Sequence, residues 1–142
     1  MRIFKKLTLL LFLALFISCS DDDDALGISD DPIVGEWRLE SISLDGTSIE
    51  LQECQDLETY FFNEDFSFRA EAFEFNTIVE DCVLNAFTEG AWGILESGGY
   101  FTNTTGTQNN FNASFLEEEN VLRITSSDPL SGLQENREYR RQ

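Results

Sequence analysis

Twenty-seven carboxylates, three thiols and no imidazole set the chemistry open to this chain. Without histidine there is no Ser-His-Asp or Cys-His nucleophile, no histidine general base and no zinc site built on imidazole. Paired carboxylates can hydrolyse a glycosidic bond unaided. Of the carboxylates here, 21 lie beyond residue 31, and no two are set apart by their surroundings. Glu117-Glu118-Glu119 and the aspartate run near the N-terminus lack the alternating Asp/Asn ligands, central glycine and closing glutamate of a calcium loop. The expectation is a solvated turn and a solvated spacer, with no metal, no cofactor and no catalysis. Aromatic rings are the other resource: ten phenylalanines follow residue 18, suited to filling a core or to stacking on an apolar or sugar ligand.

The first of the three cysteines sits in a segment of its own kind. Arg2, Lys5 and Lys6 precede an apolar run over 7–17, too short to cross roughly 30 Å of hydrocarbon as a helix but suited to a cleaved export signal. Phe16-Ile17-Ser18-Cys19 resembles a bacterial lipobox, with Phe16 where that motif usually has leucine. The resemblance implies that residues 1–18 are a lipoprotein signal peptide, and that Cys19 becomes the acylated first residue, held in the membrane by two or three chains. Ser20 with Asp21, Asp22, Asp23 and Asp24 resembles the acidic export signal of surface lipoproteins in one branch of Gram-negative bacteria. The implied location is the outer membrane, lipid-anchored and exposed on the cell surface. Residues 19–31, rich in aspartate and without periodicity, read as a tether, leaving one domain over 32–142. With Cys19 on lipid, Cys54 and Cys82 remain in an oxidising compartment and are expected to pair.

The formal charge is −18, and loss of residues 1–18 leaves six arginines against the 27 acidic residues. Such a surface repels phosphate backbones, so nucleic acid is excluded as a partner. The charge serves solubility, and it favours cationic partners over anionic ones.

Past the tether, short runs with a period of two alternate with turn residues, the pattern of an all-β domain. Strands are expected over 37–44, closed by Asp45-Gly46, and over 57–62, 66–72, 87–95, 100–104, 109–116, 121–125 and 133–140. The phase slips at Phe73 and Phe75, which predicts a bulge or strand end there. Residues 48–57 are the single helix candidate. About eight strands in hairpin order lose their open edges by closing into a small antiparallel up-and-down barrel.

Gly35-Glu36-Trp37 on the first strand, Tyr60-Phe61-Phe62-Asn63 leading into Phe66-Ser67-Phe68, a second Gly-x-Trp at Gly90-Ala91-Trp92 and a terminal strand with Tyr139 and Arg141 together resemble the lipocalin-like lipoproteins. The resemblance implies a barrel closed at one end by Trp37, with one of Arg137, Arg140 or Arg141 lying across the indole. It implies a non-catalytic binding module for a small apolar or carbohydrate ligand. The alternative is a filled barrel acting as a surface interaction or inhibitor protein. An eight-stranded barrel is just wide enough for side chains to fill it, so most of the phenylalanines are assigned to the core. Phe61 and Phe62 must face opposite ways. Phe73 and Phe75, beyond the phase slip, are the candidates for ligand contact.

Overall fold

A computed structural model describes residues 30–127 and 132–142. The expected signal segment, Cys19, Ser20, the aspartates 21–24 and the turn over 128–131 lie outside the described residues.

The strands are β1 (Gly35–Leu44), β2 (Thr47–Ile49), β3 (Thr59–Phe62), β4 (Ser67–Asn76), β5 (Asp81–Ile94), β6 (Tyr100–Thr104), β7 (Thr107–Leu116), β8 (Val121–Ser127) and β9 (Gln134–Arg141). From β3 to β9 each pairs antiparallel with the next, and β1 pairs with both β3 and β9. Eight strands therefore close on themselves, and β2 is a flap on the upper part of β1. The closed antiparallel barrel expected from the strand pattern is the fold.

The expected helix over 48–57 is absent. Asp45 and Gly46 both adopt positive φ, 47° and 79°, the backbone of a tight hairpin. That turn folds Thr47, Ser48 and Ile49 back onto Leu44, Ser43 and Ile42. Only Gln55–Leu57 remain helical, as a single 3-10 turn. The bulge expected at Phe73 does occur, with the extra residue on the opposite strand: Ala72 faces Ala86 and Phe73 faces Leu84, leaving Asn85 unmatched. Strand β5 consequently starts six residues before the sequence pattern indicates.

Turns over 63–66, 95–99 and 117–120 lie at one end of the barrel, where residues 30–34 lead into β1. Connections over 45–58, 77–80 and 105–106 lie at the other. A disulfide between Cys54 and Cys82, with Cα atoms 5.7 Å apart, ties the 45–58 connection to the upper end of β5. Closing a 28-residue separation restricts the unfolded chain by about 3 to 4 kcal/mol in the loop-entropy treatment.

The lower end is solid. Trp37, Phe62, Trp92, Leu122 and Tyr139 are all buried there or just above, with Ile33 of the lead-in segment among them. Both indoles are satisfied: Trp37 Nε1 donates to the Ile33 carbonyl at 2.7 Å and Trp92 Nε1 to that of Asn63 at 2.8 Å. Asp31 caps the plug, its carboxylate accepting from the Ile33 amide at 2.9 Å and from the Tyr100 hydroxyl at 3.0 Å.

Of the three arginines left open by the sequence, Arg141 lies over Trp37, 4.3 Å from the ring centroid. Its guanidinium also donates to the carbonyls of Val34 at 2.8 Å, Pro32 at 2.7 Å and Glu119 at 3.2 Å. One side chain thus joins the lead-in segment, the end of β9 and the β7–β8 turn. Gly35 makes room for it, since a Cβ there would sit 2.7 Å from Arg141 Nη1. Arg137 and Arg140 do not close the barrel. Strand alternation turns Arg140 outward, onto Glu40 at 2.9 Å and Glu117 at 3.0 Å. Arg137 shares a face with Tyr139 and Arg141 but lies opposite Ile42, toward the upper end, where it pairs with Glu58 and Glu135.

Replacing Trp37 by alanine should cost about 3 to 5 kcal/mol, as for other large core truncations. Arg141→Ala should cost distinctly less, about 1 to 2 kcal/mol, from the cation–π contact and the stranded carbonyls. Urea unfolding of the two variants and of Arg140→Ala measures the order. Arg140→Ala being as costly as Arg141→Ala would contradict this closure.

Candidate functional site

Above the plug the barrel is hollow. A cavity of about 320 Å³ lies between the walls, at the small end of the range for ligand pockets. At about 30 Å³ for each water of the liquid, it holds roughly ten waters, or one molecule of monosaccharide size.

Its two sides differ in chemistry. Tyr60 and Phe62 from β3, Phe68 and Ala70 from β4, Phe111 from β7 and Ile124 from β8 form an apolar floor and wall. These rings brace each other: Phe62 lies 5.1 Å from Phe68, Tyr60 5.7 Å from Phe68 and Phe62 6.3 Å from Phe111, centroid to centroid. Facing them are Thr88 from β5, Thr102 and Thr104 from β6 and Asn109 from β7. None of these four side chains hydrogen-bonds to another protein group among the described residues. The short strand β6 fixes this wall, because Gly90 lets it approach closely; a Cβ on Gly90 would lie 2.1 Å from the Asn103 carbonyl oxygen.

No lining group carries charge near neutral pH. The ionisable one is the Tyr60 phenol, whose pKa is raised first by burial and then by the nearby Glu58 carboxylate. Tyr60 stacks on Tyr139 at 4.7 Å. The Tyr139 hydroxyl in turn donates to Glu58 at 2.7 Å, and Arg137 reaches the same carboxylate at 3.3 Å. This network anchors the β1–β3 connection to β9 beside the cavity. It consumes Arg137 in an internal ion pair, so that guanidinium is not presented to a ligand.

The expected contact residues Phe73 and Phe75 do not line the cavity. Because the extra residue at the bulge lies on β5, β4 keeps its alternation past Phe68 and Ala70, which face inward. Phe73 and Phe75 therefore face outward, and Phe75 is exposed. Phe61 also points out, under the Arg69 guanidinium at 4.3 Å, while its neighbour Phe62 faces in. The polar wall was missed at the sequence level. Its one signal is that Thr102 and Thr104 share a face with Tyr100, a pattern that any half-buried strand shows. Among the described residues no three His, Cys, Asp or Glu side chains group as metal ligands. Glu117, Glu118 and Glu119 form an exposed turn, all at positive φ.

All three tyrosines are shifted upward from an ordinary value of 10.0, burial being the largest cause in each. Tyr100 is held further by Asp31, and Tyr139 by Tyr60 and Glu58. Raised phenol pKa values favour the folded state while the unfolded chain is still protonated. That contribution is complete below about pH 10 and falls as the pH rises through the folded values. Titration followed by phenolate absorbance should show no ionisation of the native protein at pH 10, then steep ionisation together with unfolding. The urea-unfolded chain should titrate near its ordinary value. Phenolate forming at pH 10 in the folded protein would contradict the described packing.

A profile for the lipocalin-like domain matches residues 33–124. Among solved structures, one titled odorant binding protein OBP1 is similar over 78% of this chain and 72% of its own, with 15% identity and a TM-score of 0.41. No curated protein sequence matches. The profile match spans more than half of the chain, from the lead-in segment into β8, and the chain belongs to the lipocalin-like domain family.

Proposed function

We propose that this protein is a non-catalytic binding module for a small, uncharged ligand with an apolar face and a hydrogen-bonding face, such as a sugar or a hydroxylated apolar molecule. The observation that carries this reading is the unpartnered set Thr88, Thr102, Thr104 and Asn109 opposite an aromatic floor. Thr102 and Thr104 are half-buried, and Thr88 and Asn109 are exposed at the cavity rim; with no protein partner all four are solvated by water in the free state, and a ligand that replaces those waters recovers their hydrogen bonds. A charged ligand would enter a neutral cavity without a counter-charge, which disfavours it. The filled-barrel alternative fits the lower half of the molecule and not the upper half.

We further propose, on Phe16-Ile17-Ser18-Cys19 and the aspartates 21–24 that follow, that the domain is tethered to the outer membrane through Cys19 and displayed on the surface. The lead-in segment meets the barrel at its closed end, beneath Trp37. A tether arriving there would attach the domain by its closed end, opposite the ligand end.

A neutral naphthylamine fluorophore should bind wild-type protein and brighten. Ala70→Phe, which fills the cavity from its apolar wall, should weaken binding by about tenfold or more at a stability cost of about 1 to 3 kcal/mol. Equal fluorophore binding by Ala70→Phe would remove the cavity as the site. For the tether, Cys19→Ala should yield protein lacking acyl mass. Changing Asp21, Asp22, Asp23 and Asp24 to alanine should keep the lipid but shield the domain from protease added to whole cells. Unmodified Cys19 in native protein, or unchanged surface cleavage of the alanine variant, would overturn the respective halves of this assignment.

A further inference from the structure

The barrel wall is uneven in height, and the step leaves a strand edge open. Strand β5 pairs with β6 only from Gly90 to Ile94, because β6 ends at Thr104 and turns at 105–106 into β7. Above Gly90, residues 81–89 of β5 are paired with β4 on one side and, among the described residues, with no strand on the other. Unpaired edges invite a further strand, and proteins usually guard them with lysine, proline or a covering loop. No lysine or proline stands on residues 81–89, and the 45–58 connection reaches this strand at Cys82, above 86–89, through the disulfide. The bulge at Asn85 divides the edge, and residues 86–89 continue the line that β6 abandons at Thr104.

The ribbon formed by β4 and β5 above the barrel is also apolar on its outer face. Phe87 is 61% exposed, Leu84 49% and Phe75 38%, and the turn beyond adds Ile78 at 89% and Val79 at 60%. Around them stand the exposed carboxylates Glu74, Glu80, Asp81 and Glu89. The sequence holds no lysine or arginine between Arg69 and Arg123; Arg69, opposite Glu89 and ion-paired with Glu71, is the one cation on this ribbon among the described residues, the other described arginines lie on β1, β8 or β9, and carboxylates outnumber it around the edge. A second copy would bring carboxylates against carboxylates, and anionic lipid would be repelled as well. A cationic segment would meet the free backbone groups, the apolar strip and the charge together.

We propose that the free edge of β5 at residues 86–89 is a docking site for an extended, basic and apolar polypeptide segment, which adds to the sheet as a strand beside the exposed Phe87. This is strand addition, in which main-chain hydrogen bonds supply affinity and flanking side chains supply specificity. It uses the backbone edge and the outer face, whereas Thr88 of the same segment turns its side chain the other way, into the cavity.

A short synthetic peptide alternating valine and lysine tests it, with a valine–glutamate peptide as control. The lysine peptide should bind about tenfold or more tightly than the control, slow amide hydrogen exchange at 86–89 and weaken as salt screens the carboxylates. The same peptide N-methylated at alternate residues should fail to bind, since it cannot form the ladder. Phe87→Ser should lower affinity by about tenfold, as for a central contact, with fluorophore binding in the cavity unchanged. Equal binding of the N-methylated peptide would reduce the effect to ionic adsorption and overturn the proposal. So would absence of binding, or protection of 86–89 in the protein alone as it dimerises with rising concentration.

Discussion

An eight-stranded sheet of this length has one economical way to lose both edges, and the contact of Arg141 across Trp37 is where it does so. The two residues face each other on β1 and β9. The guanidinium adds three backbone carbonyls to its contact with the indole. Without this meeting of first and last strands, two ladders of backbone donors and acceptors would be open to water or to other chains. The Gly-x-Trp pattern takes its physical meaning here. The tryptophan supplies the floor, and the glycine two residues before it leaves space for the arginine beneath.

Closing the lower end so tightly leaves the upper half free to be hollow. The lower plug gathers both tryptophans, Phe62, Leu122 and the lead-in Ile33, with each indole nitrogen satisfied. The upper connections contribute little packing of their own and are held by other means, the disulfide between Cys54 and Cys82 and the polar network of Glu58, Tyr139 and Arg137. A cavity costs stability because its lining lacks contacts on one side. Here the loss falls on threonine and asparagine side chains that water can serve, while the rings opposite support one another.

Much of the fold was legible in the sequence because turn chemistry and alternation agree: Asp45-Gly46, Asn63-Glu64-Asp65 and Gly98-Gly99 each stand between runs of period two. The helix expected over 48–57 fails because the hairpin at Asp45-Gly46 captures Thr47, Ser48 and Ile49, whose β-branched members pair with β1. The choice among Arg137, Arg140 and Arg141 depends on register. Glu40 is an extra residue in β1 between Leu39 and Ser41, and nothing in the sequence marks it. Phe73 and Phe75 looked displaced from their strand because the pattern slips there, yet the inserted residue is Asn85 on the partner strand. The cavity wall was invisible for a different reason. Threonine in a strand is ordinary, and only the pairing of β5, β6 and β7 shows that Thr88, Thr102, Thr104 and Asn109 meet around one space.

The barrel is solid below and hollow above, and the proposed role depends on the hollow holding a small molecule. Native mass spectrometry of the protein purified from its own cells provides the check. A fraction of molecules should carry a single neutral adduct that leaves on mild activation and is missing from the Ala70→Phe variant. Protein that is free of adduct under all gentle conditions, or an adduct retained equally by Ala70→Phe, would contradict it.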